Sequence, residues 1–328
     1  MGTRQYVLRK VLQAFITLVA IMIFNFFLFR VWLPGDPVSF LTRGQGFNIS
    51  LEERSALIHE YGLDKSIWGQ LAEYMKDTFS GKLGASSFFQ GESVRSVIFR
   101  FLPPTILLVG FSTILSMIIG IWMGIRSGWR RGSVFDRFSM FSSLVLYSMP
   151  EFWLGMLMLL LFSTALGWFP IGGRVSTNVS ELGTFGYVLD VANHLFLPVL
   201  TLTLAYLGEF YLVMRSSLLD VLGEEYITTA RAKGALERNV LNHHAVPNAL
   251  LPTVTLVALS FGFVLGGAIT VEIVFSYQGV GLLTYTAIVA KDYWLLQGLF
   301  LFFTVAVIVF NLISDLLYAY LDPRVREA

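Results

Sequence analysis

The sequence predicts an all-α membrane protein with six transmembrane helices and a helical insertion between the first two. Three observations carry that expectation: a charge-poor composition, uncharged runs of membrane-crossing length, and basic residues that alternate between successive loops. Of 328 residues, 55% are hydrophobic and 14% charged, where a soluble domain carries about a quarter charged. Mean hydropathy is +0.68. The formal net charge is only +1, so bulk electrostatics offer no attraction to nucleic acid. The chain has no cysteine, which excludes disulfides, thiolate metal sites and cysteine nucleophiles. Its four histidines stand in no metal-ligand spacing, so no metal site is expected.

The first uncharged run, Val11 to Phe29, follows Arg4, Arg9 and Lys10 and holds 19 residues. As a helix it is about 28 Å long, enough for a bilayer core of about 30 Å. It is too long for a signal-peptide core and ends in Arg30 to Pro34 rather than a small-residue cleavage site, so it reads as a retained span. Five more runs follow: 101–125, 138–169, 195–213, 245–271 and 293–314. The third exceeds one crossing and carries Glu151 after Pro150; the fourth carries Glu209. Six spans put both termini on one side. The first ten residues hold three basic residues, and the loops Arg126–Arg137 and Arg215–Arg238 hold four each. The remaining short loops hold only Arg174 and Lys291. By the positive-inside rule both termini are cytoplasmic.

The division expected is 1–30 for the cytoplasmic N-terminus and first span, 31–93 for an external helical segment, 94–319 for a five-helix core, and 320–328 for a cytoplasmic tail. In the external segment, Ser50-Leu-Glu-Glu53 has capping-box spacing. Ile67, Leu71, Tyr74 and Met75 recur at helical spacing and predict an amphipathic helix. A docking element or lid is one reading; a scaffold cap packed on the helix ends is the favoured one.

The loop 216–248 between spans four and five is the most informative stretch. Helix formers flank Thr228 and Thr229, and Gly234 is a natural helix stop, so the loop predicts a short helix, a glycine turn and a second helix leading into span five. Ala230 and Ala232 would let a partner approach, with Glu225, Arg231 and Lys233 as a polar rim. Spacing alone leaves two readings equal: a docking helix, or an amphipathic helix on lipid headgroups.

A resemblance separates them. Glu225-Tyr226 with Ala230-Arg231-Ala232-Lys233-Gly234, then His244-Ala245 and Asn248-Ala-Leu with Pro252, resemble the EAA loop of ABC importer permeases in its dipeptide/oligopeptide version. Pro247 departs from it, since that family often has a basic residue there. Similar segments run in order along the chain: Leu33–Pro37, Tyr61–Asp64, Ser148–Gly155, Val271–Gly281, Lys291–Tyr293 with Gln297-Gly298, Asn311–Tyr318 and Leu321–Arg326. The resemblance implies the type I importer permease fold and a B-type subunit in a bacterial or archaeal inner membrane. It makes Glu225, Tyr226, Ala230, Arg231, Lys233, Gly234, His244 and Asn248 the coupling residues. Implied partners are a second homologous permease, two ATP-binding subunits that hold ATP and magnesium, and an external solute-binding protein. Peptides are the default cargo, with oligosaccharides, nickel complexes or glutathione as alternatives. The chain itself has no P-loop sequence and no cofactor is expected in it.

Pro150, Glu151, Glu209, Gly266 and Glu272 are candidates for the pathway or for packing. A carboxylate inside a span is costly and points to function, unless it lies at the membrane boundary; for Glu151 and Glu209 the boundary is favoured. Glu272, before the Ser276–Gly281 turn, is expected to be a structural group at the outer mouth. Gly120 and Gly124, and Gly262, Gly266 and Gly267, permit close helix packing within the bundle or against the partner permease. His243 and His244 are expected to be structural. An ion-coupled secondary transporter using Glu151 or Glu209 would leave the 216–248 loop unexplained. An intramembrane enzyme would lack any paired catalytic set.

Overall fold

In a computed structural model, residues 3–32, 50–60, 62–178, 181, 183–264 and 269–321 are described. They form helices with no strand among them, only an isolated bridge between Ala85 and Ser93. Helix α1 (Thr3–Phe27) runs on into a π-helical turn, Leu28–Trp32. Helices α2 (Leu51–Glu60) and α3 (Ile67–Phe79) follow. Ser66 caps α3 by accepting from the Gly69 N–H at 3.3 Å. Then come α4 (Val94–Trp129), α5 (Val134–Ser148), α6 (Glu151–Met158, continuing as a π-helix Leu159–Ala165) and α7 (Gly183–Leu222). The remainder are α8 (Glu225–Ala232), α9 (Val246–Val264), α10 (Ile269–Val274), α11 (Val280–Ala290) and α12 (Tyr293–Leu321).

Four helices are long and apolar enough to cross a membrane: Arg4–Trp32, Val94–Trp129, Gly183–Leu222 and Tyr293–Leu316. A bent pair, Val134–Ser148 with Glu151–Ala165, makes five if it counts as one span. The expected six are thus matched in part. The third run is two helices meeting at 103° rather than one. Met149 precedes a proline, which disfavours the helical region, and sits extended at φ −81°, ψ 130°. Pro150 then starts α6, where its missing N–H costs nothing. The fifth run gives α9, with 19 residues, and α10; Gly266 and Gly267 between them lie outside the described residues, as do Leu33–Pro37, Tyr61 and most of the tail.

The centre of the bundle is the α4–α7 pair. A Cβ added at Gly120 would lie 2.7 Å from Phe210 Cβ and 3.0 Å from the Leu207 carbonyl; one at Gly124 would lie 2.8 Å from Met214 Cβ and 2.9 Å from the Tyr211 carbonyl. These glycines therefore pack within the chain, backbone against backbone. Helix α3 packs along the flank of α1 rather than across the helix ends. Gln70 accepts from Arg30 Nε at 2.9 Å, Tyr74 accepts from Asn25 at 3.2 Å, and the Phe26 and Tyr74 rings lie 5.6 Å apart.

Candidate coupling site

The loop after α7 folds as the sequence predicts. Glu224 starts α8, its carbonyl accepting from Ile227 N–H at 3.1 Å. The helix ends in a Schellman motif: Ala235 N–H donates to the Ala230 carbonyl at 3.2 Å and Gly234 N–H to the Arg231 carbonyl at 2.9 Å. That geometry requires a left-handed residue, and Gly234 supplies it with φ +79°. A helical turn (Glu237–Asn239) and a π-helical turn (Val240–Ala245) then lead into α9.

One face of α8 is anchored. Ile227 is fully buried in a cluster with Met214 and Leu218 of α7, Val240, Ala245 and Ala249, with Ile121, Ile125 and Trp129 of α4 packed against it. Burying an isoleucine contributes about 1.5–3 kcal/mol. Ala230 is half-buried against the same cluster. The other face is open: Glu225, Ala232, Lys233 and Gly234 are exposed, and Leu236 just beyond the turn is 71% exposed.

The structure brings Tyr226, His244 and Asn248 together. The Tyr226 and Asn248 side chains are hydrogen-bonded, and Asn248 donates to the His244 carbonyl at 2.7 Å. Burial, with Glu224 nearby, pushes the Tyr226 hydroxyl above its ordinary pKa. Arg231 is drawn elsewhere, making a two-bond pair with Glu237 at 3.0 and 3.2 Å while lying 5.8 Å from the Trp129 ring. That pair is exposed and contributes under about 1 kcal/mol. His243 and His244 are exposed, and no cluster of metal-ligating side chains occurs among the described residues.

Behind the loop lies a polar network that motif reading missed. Asp136, at the start of α5, accepts from Arg215 at 2.7 and 3.1 Å, from Gly132 N–H at 2.8 Å and from the Ser127 hydroxyl. Tyr211 meets Ser127 at 2.7 Å. The signal available in the sequence was a lone aspartate among the four arginines of the 126–137 loop.

At the opposite end, Glu272 is fully buried and accepts from the Thr105 hydroxyl at 2.8 Å and Leu282 N–H at 2.9 Å. Thr105 also accepts from Val280 N–H at 2.7 Å. This clamp holds the 276–281 turn. Asp292, likewise buried, caps α12 by accepting from Leu295 N–H at 3.1 Å and holds the segment before α4 through Ser86 and Phe88. Glu151 and Glu209 are half-buried and make no ion pair among the described residues; Tyr206 hydrogen-bonds Glu151. They do not join the coupling cluster.

Comparison with known proteins agrees with this architecture. The family described as binding-protein-dependent transport system inner membrane component matches residues 94–327, and its N-terminal companion matches 3–109. The oligopeptide transport system permease protein AppB of Bacillus subtilis (strain 168) is 35% identical over 321 residues, covering 98% of this chain and 99% of that protein. The dipeptide transport system permease protein DppB of Escherichia coli (strain K12) is 35% identical over 339 residues, with the same coverage. A probable peptide ABC transporter permease of Sinorhizobium fredii is 33% identical over 321 residues. A family match through the whole bundle and relatives of nearly equal length make the chain a multi-pass inner-membrane permease, a member of the binding-protein-dependent transport system inner membrane component family.

Proposed function

We propose that this chain forms half of the translocation pathway of an ATP-driven importer of short peptides, with α8 as the coupling helix. Both termini face the cytoplasm, and the 31–93 segment faces outward. ATP and magnesium bind to two partner ATPase subunits. A second homologous permease completes the pathway, and an external binding protein delivers the peptide. The cargo assignment rests on the dipeptide and oligopeptide permeases at 35% identity.

The observation that carries the coupling role is the two-sidedness of α8. Its inner face is locked to α4, α7 and α9 through Ile227, while Glu225, Lys233 and Leu236 stand outward. A push on the outer face therefore moves the bundle as a body, the rigid rocking that alternating access requires. An amphipathic helix resting on lipid would turn its apolar face outward instead; Ile227, the one branched aliphatic side chain of α8, is buried in the chain, though the Tyr226 ring is exposed.

The test exploits the absence of native cysteine. A single cysteine at Leu236 is expected to crosslink to the ATPase subunit in the assembled complex and to block peptide uptake into proteoliposomes. Labelling of that cysteine by a lipid-embedded probe instead, or uptake that persists without ATPase subunits, would overturn the proposal.

A further inference from the structure

The loop between α6 and α7 carries an isolated cation, at the end of α7 opposite α8. Arg174 is the only lysine or arginine between Arg137 and Arg215. Its backbone is pinned on both sides. On one side, Gly173 N–H donates to the Phe275 carbonyl at 2.9 Å, and a Cβ added at Gly172 would lie 2.7 Å from that oxygen. On the other, Asp190 accepts from Ser176 N–H at 2.8 Å and from the Ser176 hydroxyl at 2.6 Å. Phe275 belongs to the core cluster with Leu108 of α4 and Leu197 of α7. The loop therefore rests on the bundle core and holds Arg174 in place there.

The guanidinium is far less engaged than its backbone. It makes no ion pair among the described residues. Its bond to the Tyr187 hydroxyl is long, 3.5 Å, and a guanidinium has five N–H donors to place. Tyr187 is 40% exposed. Behind them is Tyr277, fully buried, whose hydroxyl has no hydrogen-bond partner among the described residues. That hydroxyl lies within electrostatic reach of Arg174, Tyr187 and Glu272, but the Glu272 oxygens are taken by Thr105 and Leu282. A buried polar group left unpaired calls for a partner, and here its neighbours are a cation and a second phenol.

A cluster rich in donors and poor in free acceptors suits an anion. A planar guanidinium meets a carboxylate through two parallel hydrogen bonds, and a tyrosine hydroxyl can donate a third. Short peptides differ in their side chains but share one terminal carboxylate, so a single fixed cation can serve all of them. We infer that Arg174 and Tyr187 seat the C-terminal carboxylate of the cargo peptide as it enters the pathway. That the ligand is cargo, and that this end is the entrance, rests on the importer reading above; the preference for a carboxylate rests on the two side chains.

The experiment is saturation-transfer difference NMR on the full detergent-purified complex, titrated with N-acetyl-Ala-Ala or with its C-terminal amide. The two probes differ only in the carboxylate, and neither needs the binding protein. Tighter binding of the acid is expected. Arg174→Gln should weaken it about tenfold or more, and Tyr187→Phe about fivefold, with amide binding unchanged in both. Should Arg174→Gln fail to assemble, Tyr187→Phe decides, since it removes one half-exposed hydroxyl and keeps the ring. Equal binding of acid and amide, or acid binding unchanged in either variant, would overturn the inference. So would displacement of the acid by an equal concentration of glycerol 3-phosphate, which would assign the cation to lipid headgroups. Peptide uptake by the same complex is a separate readout. Loss of ATP-driven uptake with acid binding intact would count against the importer reading, and uptake without acid binding against the seat alone.

Discussion

Removing the Asp136 carboxylate should cost far more than removing the ion pair as a whole. The Asp136 side chain is 5% exposed and that of Arg215 15%, so Asp136→Ala leaves a nearly buried guanidinium without its counter-ion. It also strips acceptors from Gly132 N–H and the Ser127 hydroxyl. Breaking one side of a buried pair costs about 3–5 kcal/mol. The residual exposure of Arg215 places the expectation near the lower end, about 3 kcal/mol, or roughly two orders of magnitude in the unfolding equilibrium. Replacing both residues, as Asp136→Leu with Arg215→Met, removes the desolvation penalty along with the attraction and is expected to cost much less than the sum of the singles. The assay is reversible SDS-induced unfolding in mixed micelles for the two singles and the double. Additive effects, or an Asp136→Ala variant within about 0.5 kcal/mol of wild type, would show that the pair is solvated and would refute the reasoning.

Gly120→Ala and Gly124→Ala should each destabilise by about 1–3 kcal/mol in the same unfolding assay, because the opposing Leu207 and Tyr211 carbonyls are helix backbone. Gly279→Ala should abolish recovery of folded permease by size-exclusion chromatography, since its Cβ would lie 2.5 Å from the Glu272 carboxylate. Gly234→Asp meets nothing within 4 Å in this chain, so it should cost only about 1 kcal/mol of left-handed strain; loss of ATP-driven uptake with normal insertion would then report a contact with the ATPase. Glu151→Gln keeps size and the Tyr206 contact, so it should leave assembly intact while slowing uptake of peptides with a free amino terminus. Unchanged uptake would assign Glu151 to packing.

The legible part of this chain was what depends on local order. Gly234 marks a helix limit because its backbone demand acts within a few residues. The break at Pro150 was not legible, because Met149 and Pro150 both leave the helical register and hydropathy cannot see an angle inside an apolar run. The partners of Asp136, Glu272 and Asp292 were hidden for another reason. Each is bonded across long sequence separations, Thr105 to Glu272 across 167 positions and Ser86 to Asp292 across 206. No spacing rule reaches that far. The role of α8 was open on spacing alone, and burial of Ile227 supplies the asymmetry that spacing lacks.

The arrangement also gives a reason why the coupling helix proposed here, α8, should be short and tied to this pair of helices in particular. Gly120 and Gly124 bring α4 and α7 into backbone contact, so the two cannot slide without forcing side chains through carbonyls. Asp136 and Arg215 then pin α5 to the same end of α7, and Ile227 seats α8 on that end of the pair. At the far end, Thr105 of α4 holds Glu272 and Val280, which fixes the turn between α10 and α11. A force on α8 would therefore meet a lever whose opposite end is bonded to the 276–281 turn. A longer or looser helix would dissipate the displacement in its own bending, whereas eight residues capped by a Schellman turn have little to bend. On this reasoning, Thr105→Val should weaken the link between the ends without touching the ATPase contact. Measured on the reconstituted complex, ATP hydrolysis should persist while uptake falls; a parallel fall in both would place the lever elsewhere.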